Sequence, residues 1–340
     1  METLNKVIVD PDFFETIDEL RKKNITIADI PNQADFDFSF ATFPPNGKLT
    51  LAENLGPIDL DPSNGEKVMK SGEFLLSGYD ESTWDYFALE GSAFFTSHSL
   101  IVVSNERYIP IIYLSTHFIT RSNLMSDNSQ LLIYADDPKS EAKRHYAIER
   151  SDFLDRYSPN GTLLFIDGPL IGAQMTGYTI KSVRELHTKG IIPIFFVKNS
   201  VSNLATDNIP ELKGQFNSDL HWSSKMLKKF QRTNLFKYAD EHSKKSNAKI
   251  FCYYKAFDDV STQRVEFHIE TYSMIKERID DILDLVLYLL LVNGDKRNPQ
   301  IRPIAIAEKY ARAALQRGHC ERLIKGSGLI PTMNEERGFV

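Results

Sequence analysis

Short apolar runs recur along the chain, and their lengths and flanking residues sort them into strands and helices. Tyr86 to Leu89, Ser99 to Ser104 and Tyr108 to Ser115 read as three strands, the last two separated by Asn105-Glu106-Arg107, which suits a hairpin connection. A helix is predicted over residues 140–156, a strand at Leu163 to Ile166, a helix over 179–188 and a strand at Ile191 to Val197. Strand, helix, strand in that order implies a parallel crossover. Two further strands, Lys249 to Phe257 and Thr262 to Ile269, meet at an Asp258-Asp259 turn, and long helices over 272–292 and 304–325 follow. Near the amino terminus, Asp12 to Lys23 predicts a helix, and residues 24–78 are polar and punctuated by Pro and Gly. The implied organisation is a helix with an irregular extension over 1–78, one α/β domain over 79–330 and a short tail over 331–340.

Composition narrows the class. With 340 residues, 42% hydrophobic and 25% charged, the chain can bury a large core and reads as soluble and globular. Its longest apolar run, Leu285 to Val292, is far below the roughly 18 to 20 residues that cross a bilayer. No secretory or transit signal is apparent in the acidic first twenty residues, so the cytoplasm is the expected compartment. Cys252 and Cys320 are well separated, which argues against a zinc ribbon or a disulfide scaffold. The sequence carries no Gly-x-x-x-x-Gly-Lys-[Ser/Thr] loop, no Gly-x-Ser-x-Gly elbow and no Gly-x-Gly-x-x-Gly turn after a strand. Its net charge of −6 disfavours nucleic acid as a partner on average, but one segment departs from the average. Lys225, Lys228, Lys229, Arg232 and Lys237 are interleaved with Trp222, Phe230, Phe236 and Tyr238. That mixture suits a phosphate track with stacking platforms, and equally a solvated amphipathic helix with its aromatic residues in the core.

Candidate chemistry lies where apolar runs stop at a carboxylate. Leu163-Leu164-Phe165-Ile166 ends in Asp167-Gly168-Pro169-Leu170, and Tyr86-Phe87-Ala88-Leu89 ends in Glu90-Gly91-Ser92. A third acid, Glu149, falls on the helix between them. An acid followed by Gly at a strand end is also a common turn former. Acids delivered together by neighbouring strands can share divalent cations, and hard oxygen ligands suit magnesium or manganese. A three-strand meander followed by helix-connected strands, with acids at strand ends, is the layout of a ribonuclease H-like α/β domain: a mixed sheet flanked by helices, here with an N-terminal extension and a C-terminal helical pair.

In order and spacing these motifs resemble the NurA family of DNA-end-processing nucleases over residues 80–325. The counterparts are Glu90-Gly91-Ser92, Glu149, Asp167-Gly168-Pro169-Leu170, Ile194-Phe195-Phe196-Val197-Lys198, Tyr254-Lys255, Arg264-Val265-Glu266 and the helix from Pro303 to Tyr310. The resemblance implies a deoxyribonuclease that holds two manganese or magnesium ions on Glu90, Glu149 and Asp167. Lys198 and Tyr310 join the catalytic set with Tyr254 against the phosphate, and the basic track read above, Lys225, Lys228, Lys229 and Arg232, would then contact DNA. It also implies a homodimer that docks on a HerA-type hexameric ATPase translocase, in DNA-end resection or defence against foreign DNA. Two positions depart from the family pattern: Glu90 replaces the first Asp, and Tyr310 replaces a His, whose titration range near neutrality a phenol does not share. A catalytically silent subunit that binds DNA or the ATPase is therefore the alternative, and a module acting on RNA a third reading.

Overall fold

The computed structural model describes residues 41–43, 47–51, 54–104, 107–126, 132–171, 176–198, 202–240, 248–326 and 329–332. The helix expected over 12–23 and the basic residues Lys244 and Lys245 lie outside them. Three long strands dominate: β4 (Leu75–Phe87), β5 (Ser92–Ser104) and β6 (Arg107–Thr120), paired antiparallel in sequence. After helix α3 (Pro138–Tyr157) the chain enters β8 (Thr162–Asp167), which pairs parallel with β4. Helix α4 (Thr176–Thr188) then leads to β9 (Ile192–Val197), parallel to β8. The resulting order, β6-β5-β4-β8-β9, is that of a ribonuclease H-like sheet.

Beyond β9 the sheet continues antiparallel through β13 (Gln263–His268), β12 (Ala248–Lys255) and β11 (Phe236–Asp240) to β2 (Gly47–Leu51) and β1 (Ala41–Phe43). At the far edge β7 (Leu132–Tyr134) lies beside β6, with the short helix α2 (Asn123–Ser126) before it. Two short strands, β3 (Ile58–Asp59) and β10 (Gln231–Arg232), pair with each other, and β10 also pairs with β12. Part of the segment before residue 79 thus belongs to the same sheet.

Helices cover both faces. On one side α3 and α4 bury Phe153, Leu154, Val183 and Leu186 against Tyr79, Leu164 and Ile166. On the other lie α6 (Ile269–Ile275), α7 (Ile279–Asn293) and α8 (Arg302–Leu315), with Ile282, Leu285, Val286 and Ile304 packed on Leu76, Phe165, Phe196 and Val265. Helix α1 (Pro62–Ser71) lies on α7, so close that a Cβ at Gly65 would sit 2.2 Å from the Asp284 carbonyl oxygen. The start signals are local: Asp61 and Asp137 cap α1 and α3, accepting from Ser63 N at 2.8 Å and Ser140 N at 3.2 Å, and each cap precedes a Pro.

Three elements differ from the sequence expectation. The helix expected over 304–325 is two, α8 and α9 (Arg317–Gly326), because Gln316 turns left-handed at φ 41°. The helix expected over 272–292 is split by a tight turn at Lys276–Arg278. The first strand begins at Leu75 rather than Tyr86, and its middle, Asp80 to Asp85, is polar. β8 accompanies β4 only as far as Tyr79, so the polar stretch lies beyond that neighbour and reads in sequence as a loop.

Helix α8 approaches β4 at a glycine: a Cβ on Gly78 would lie 2.4 Å from the Pro303 carbonyl carbon and 2.5 Å from its Cβ. Gly78→Ala is expected to push α8 off the sheet and cost about 1–3 kcal/mol, the usual scale of overpacking. Gly177→Ala, at a helical site with open space around it, is expected to cost nothing. Thermal melts of the two variants check this, and equal Tm values would refute the close approach.

Candidate active site

The pleat of three parallel strands decides which acids meet. Successive residues of a strand point to opposite faces. Leu163 and Phe165 of β8 pack under α7 and α8, while Leu164 and Ile166 face α3 and α4. Asp167, next in phase with Phe165, therefore emerges on the α8 side. On β4 the α8 side holds Leu76 and Gly78, so Asp80 shares it. On β9 it holds Ile194 and Phe196, and Lys198 comes next in phase. Tyr79 pairs with Ile166 and Asp167 with Phe196, so Asp80, just past the end of the β8 pairing, comes beside Asp167 at the carboxyl end of β8, and Lys198 follows the carboxyl end of β9.

Helix α8 closes the group with Glu308. Lys198 Nζ lies 3.1 Å from Asp167 Oδ2 and 3.6 Å from Glu308 Oε2. Glu308 accepts from Gln300 Nε2 at 2.6 Å and pairs with Arg312. These residues, with Glu81, Ser82, Thr83 and Arg317, line an open cleft of about 640 Å³.

The electrostatics suit a cation. Burial pushes the Asp80 carboxyl up to about 8, and the neighbouring Asp167 and Glu81 add to it, with Lys198 working against them. Asp167 is raised by burial too, partly offset by Lys198. Glu308 moves the other way: burial opposes its charge, but the Gln300 hydrogen bond, Lys198 and Arg312 outweigh it. Two crowded, desolvated carboxylates are hard-oxygen donors whose repulsion a divalent cation relieves. Among the described residues no three His, Cys, Asp or Glu side chains form a ready metal cage. Magnesium does not require one, since it keeps several waters and is held through one or two carboxylates plus substrate phosphate.

The structure does not bring the other two expected acids to this face. Glu90 sits in the turn after β4, where its carboxylate accepts from Ile330 N at 3.1 Å. Phe87, the end of β4, is already roughly 23 Å beyond Asp80 at the rise of a strand. Gly91 next to it is required by packing, because a Cβ there would meet the Phe118 ring at 2.7 Å and the Ile119 carbonyl oxygen at 2.8 Å. Glu149 lies across the sheet, where Ser115 Oγ donates to it at 2.7 Å and His117 Nε2 sits 2.8 Å away. Those contacts outweigh burial and hold its carboxyl well below the usual range.

Tyr310 is 40% exposed on α8 and does not line the cleft; Glu308, two residues earlier, does. Of the expected DNA contacts, Lys228 and Lys229 are exposed and Lys225 half-buried. Arg232 and Tyr254 are committed inside the fold. Arg232 Nη2 pairs with Asp280 at 2.6 Å, and Tyr254 is buried against Phe196. Trp222 and Phe236 are buried as well, so those rings serve the core. The residues that sequence reasoning missed, Asp80 and Glu308, carried a faint signal: Asp80-Glu81-Ser82 follows a short apolar segment, Phe74 to Tyr79, as the other candidate acids follow theirs.

No protein-family model matches the sequence, and no curated protein sequence does. Solved structures do match in three dimensions. The NurA nuclease from Sulfolobus solfataricus aligns with a TM-score of 0.52 at 9% identity, over 94% of this chain and 98% of that one. Endonuclease V from Bacillus subtilis aligns at 0.41 with 10% identity, over 79% and 87%. Marinitoga piezophila Argonaute aligns at 0.32 with 16% identity, over 72% and 31%. The fold is thus of the ribonuclease H-like class. Within that class it is a NurA-like nuclease fold.

A raised carboxyl in the folded state adds stability that is complete below its unfolded value near 4 and is lost as pH climbs through about 8. In chelator, Asp80→Asn is therefore expected to be more stable than the wild type by a margin that widens between pH 5 and 8 and levels off above. The widening cannot exceed about 1.4 kcal/mol per pH unit for one proton. Denaturant titrations across that range measure it, and a margin independent of pH would show that Asp80 is not desolvated beside Asp167.

Proposed function

We propose that the protein is a metal-dependent DNA nuclease whose site is the Asp80–Asp167 pair with Lys198 and Glu308. The observation that carries this reading is the placement of two desolvated carboxylates by adjacent parallel strands of a NurA-like fold, in a cleft that Arg312 and Arg317 also line. Asp80 and Asp167 would hold manganese or magnesium, with Glu81 and Glu308 at the margin. Bound there, the ion supplies Lewis-acid stabilisation of phosphate charge and an activated water. The chain's own residues have separate tasks. Arg317 and Lys198 attract and orient the phosphodiester, Gln300 and Arg312 fix the Glu308 carboxylate, and the buried sheet beneath excludes water from one side. Lys228 and Lys229, exposed on the far part of the sheet, extend the positive surface for DNA.

The resemblance supports a wider assignment: a cytoplasmic homodimer that works on DNA ends with a HerA-type hexameric ATPase translocase, in resection or in defence against foreign DNA. Among the described residues no helix is long and apolar enough to cross a membrane. A second reading, a silent subunit that binds DNA or the ATPase without cutting, is favoured by one contact. The Lys198 ammonium already bridges Asp167 and Glu308, which is where a cation would otherwise balance their charge.

End-labelled duplex and single-stranded DNA, with RNA as a control, incubated with manganese, magnesium or chelator separates these readings. Cleavage is expected only with metal and is expected to fall by on the order of 10²-fold or more in Asp80→Asn and Asp167→Asn, the scale of losing one preorganised electrostatic group. Glu90→Gln and Glu149→Gln are expected to cut at near wild-type rates. Loss of cleavage in those two with retention in Asp80→Asn would relocate the site. No cleavage by folded wild type, alone or with the ATPase, would leave the silent subunit.

A further inference from the structure

A second cleft adjoins the first. β8 accompanies strand β4 no further than Tyr79, Thr332 N meets the Phe87 carbonyl oxygen at 3.1 Å, and clefts open on both faces of the stretch between. Glu81 and Thr83 line both. The second, of about 500 Å³, lies between β4, β5 and the first turns of α3. That volume falls within the range of small-ligand pockets and fits a nucleotide.

Its lining is amphipathic in a specific way. Lys139 and Lys143, one helical turn apart on α3, stand over it, and the Asp85 carboxylate, whose charge Lys139 favours, lines it beside Glu81. Phe87, half-buried, is held edge-on by Phe94 with centroids 6.4 Å apart, and Lys139 Nζ lies 5.7 Å from the Phe87 centroid. At the seam between the clefts, Glu81 Oε1 accepts from Tyr146, while Glu81 Oε2 is buried with no hydrogen-bond partner. A buried carboxylate oxygen without a donor is an unmet demand for one. Cations above, an aromatic face at one side and an acceptor at the seam together match a nucleotide: phosphate, base plane and exocyclic amino group.

We propose that this cleft is a nucleotide subsite, which takes one unstacked base of the strand whose phosphate lies at the Asp80–Asp167 face. The assignment rests on the nuclease reading above. Lys139 and Lys143 hold the phosphate next to the scissile one, Phe87 stacks on the base, and Glu81 accepts from the amino group of cytosine, adenine or guanine. Thymine lacks that amino group. The substrate is accordingly single-stranded DNA or a frayed end rather than a closed duplex, because a base enters the cleft only after it leaves the stack.

The test uses the full chain in chelator, with short fluorescein-labelled oligo-dC and oligo-dT followed by anisotropy, and then the same oligomers in manganese followed on a gel. Wild type is expected to bind oligo-dC more tightly than oligo-dT by about 10-fold, the discrimination of a base-specific hydrogen bond. The Lys139→Ala/Lys143→Ala double variant is expected to lose about 0.7 of the log–log salt slope, the value for one phosphate contact on a single strand. Ala142→Phe, which fills the cleft, is expected to abolish the dC preference at unchanged Tm. Should wild type cut both oligomers while both variants bind and cut as it does, the subsite is refuted and the nuclease stands. Wild type that neither binds nor cuts would overturn the nuclease reading and this one with it.

Discussion

The arrangement depends on one register, that of the parallel strands β4, β8 and β9. Tyr79 opposite Ile166, and Asp167 opposite Phe196, set three chain segments in phase, so that every second residue of each strand meets the same layer. Where β8 and β9 end, the α8-facing phase yields Asp167 and Lys198 beside Asp80 of β4, while the opposite phase keeps Tyr79 and Ile166 in the core. A slip of one residue in any of these strands would exchange the two sets, burying a carboxylate among α3 and α4 side chains.

The loop that follows Asp167 is tied down from the neighbouring half of the sheet. Leu170 N donates to Glu266 Oε2 at 2.9 Å, and Lys249 Nζ and Arg264 Nε lie 2.6 Å and 2.7 Å from Glu266 Oε1. Glu266 is fully buried, and its charge is tolerated because Lys249 and Arg264 outweigh the desolvation that opposes it. The Arg-x-Glu strand is therefore a support for the Asp-Gly-Pro-Leu turn. Gly168 at φ 95°, whose N–H donates to the Phe196 carbonyl oxygen at 2.9 Å, completes that turn. Removing one member of such a network leaves a buried charge uncompensated, so the strand's polar residues and the Asp-Gly-Pro-Leu turn form one unit.

Charge is spent differently on the two faces. Around Glu149, His117 and Ser115 hydrogen-bond a single carboxylate and His98 Nε2 stands 3.6 Å away, which stabilises its ionised form and leaves little reason for a metal to bind. Around Asp80 and Asp167, the acids outnumber their partners and remain hard to ionise. The same residue type thus serves as a strut on one side of the sheet and as candidate chemistry on the other, and the number of donors around it makes the difference.

Much of the fold was legible from local signals. The runs at Leu163 to Ile166, Ile191 to Val197, Lys249 to Phe257 and Thr262 to Ile269 gave strands within a residue or two, because β-branched and aromatic residues concentrate in each. Gly168 marked a turn for a stereochemical reason that needs no neighbour. Asp167 and Lys198 could be picked out because they end such runs. Asp80 could not, since it lies inside a strand whose polar half has no β8 beside it, and only the pairing shows where that neighbour stops. Glu308 likewise looks like any exposed helix acid until α8 is laid on β4 at Gly78. The amino-acid sequence by itself determined where strands and helices form, because periodicity and turn chemistry act over a few residues. Which carboxylates share a face was decided only by the tertiary structure, because register and helix docking join residues that lie far apart in the chain, as Asp80, Asp167 and Glu308 do.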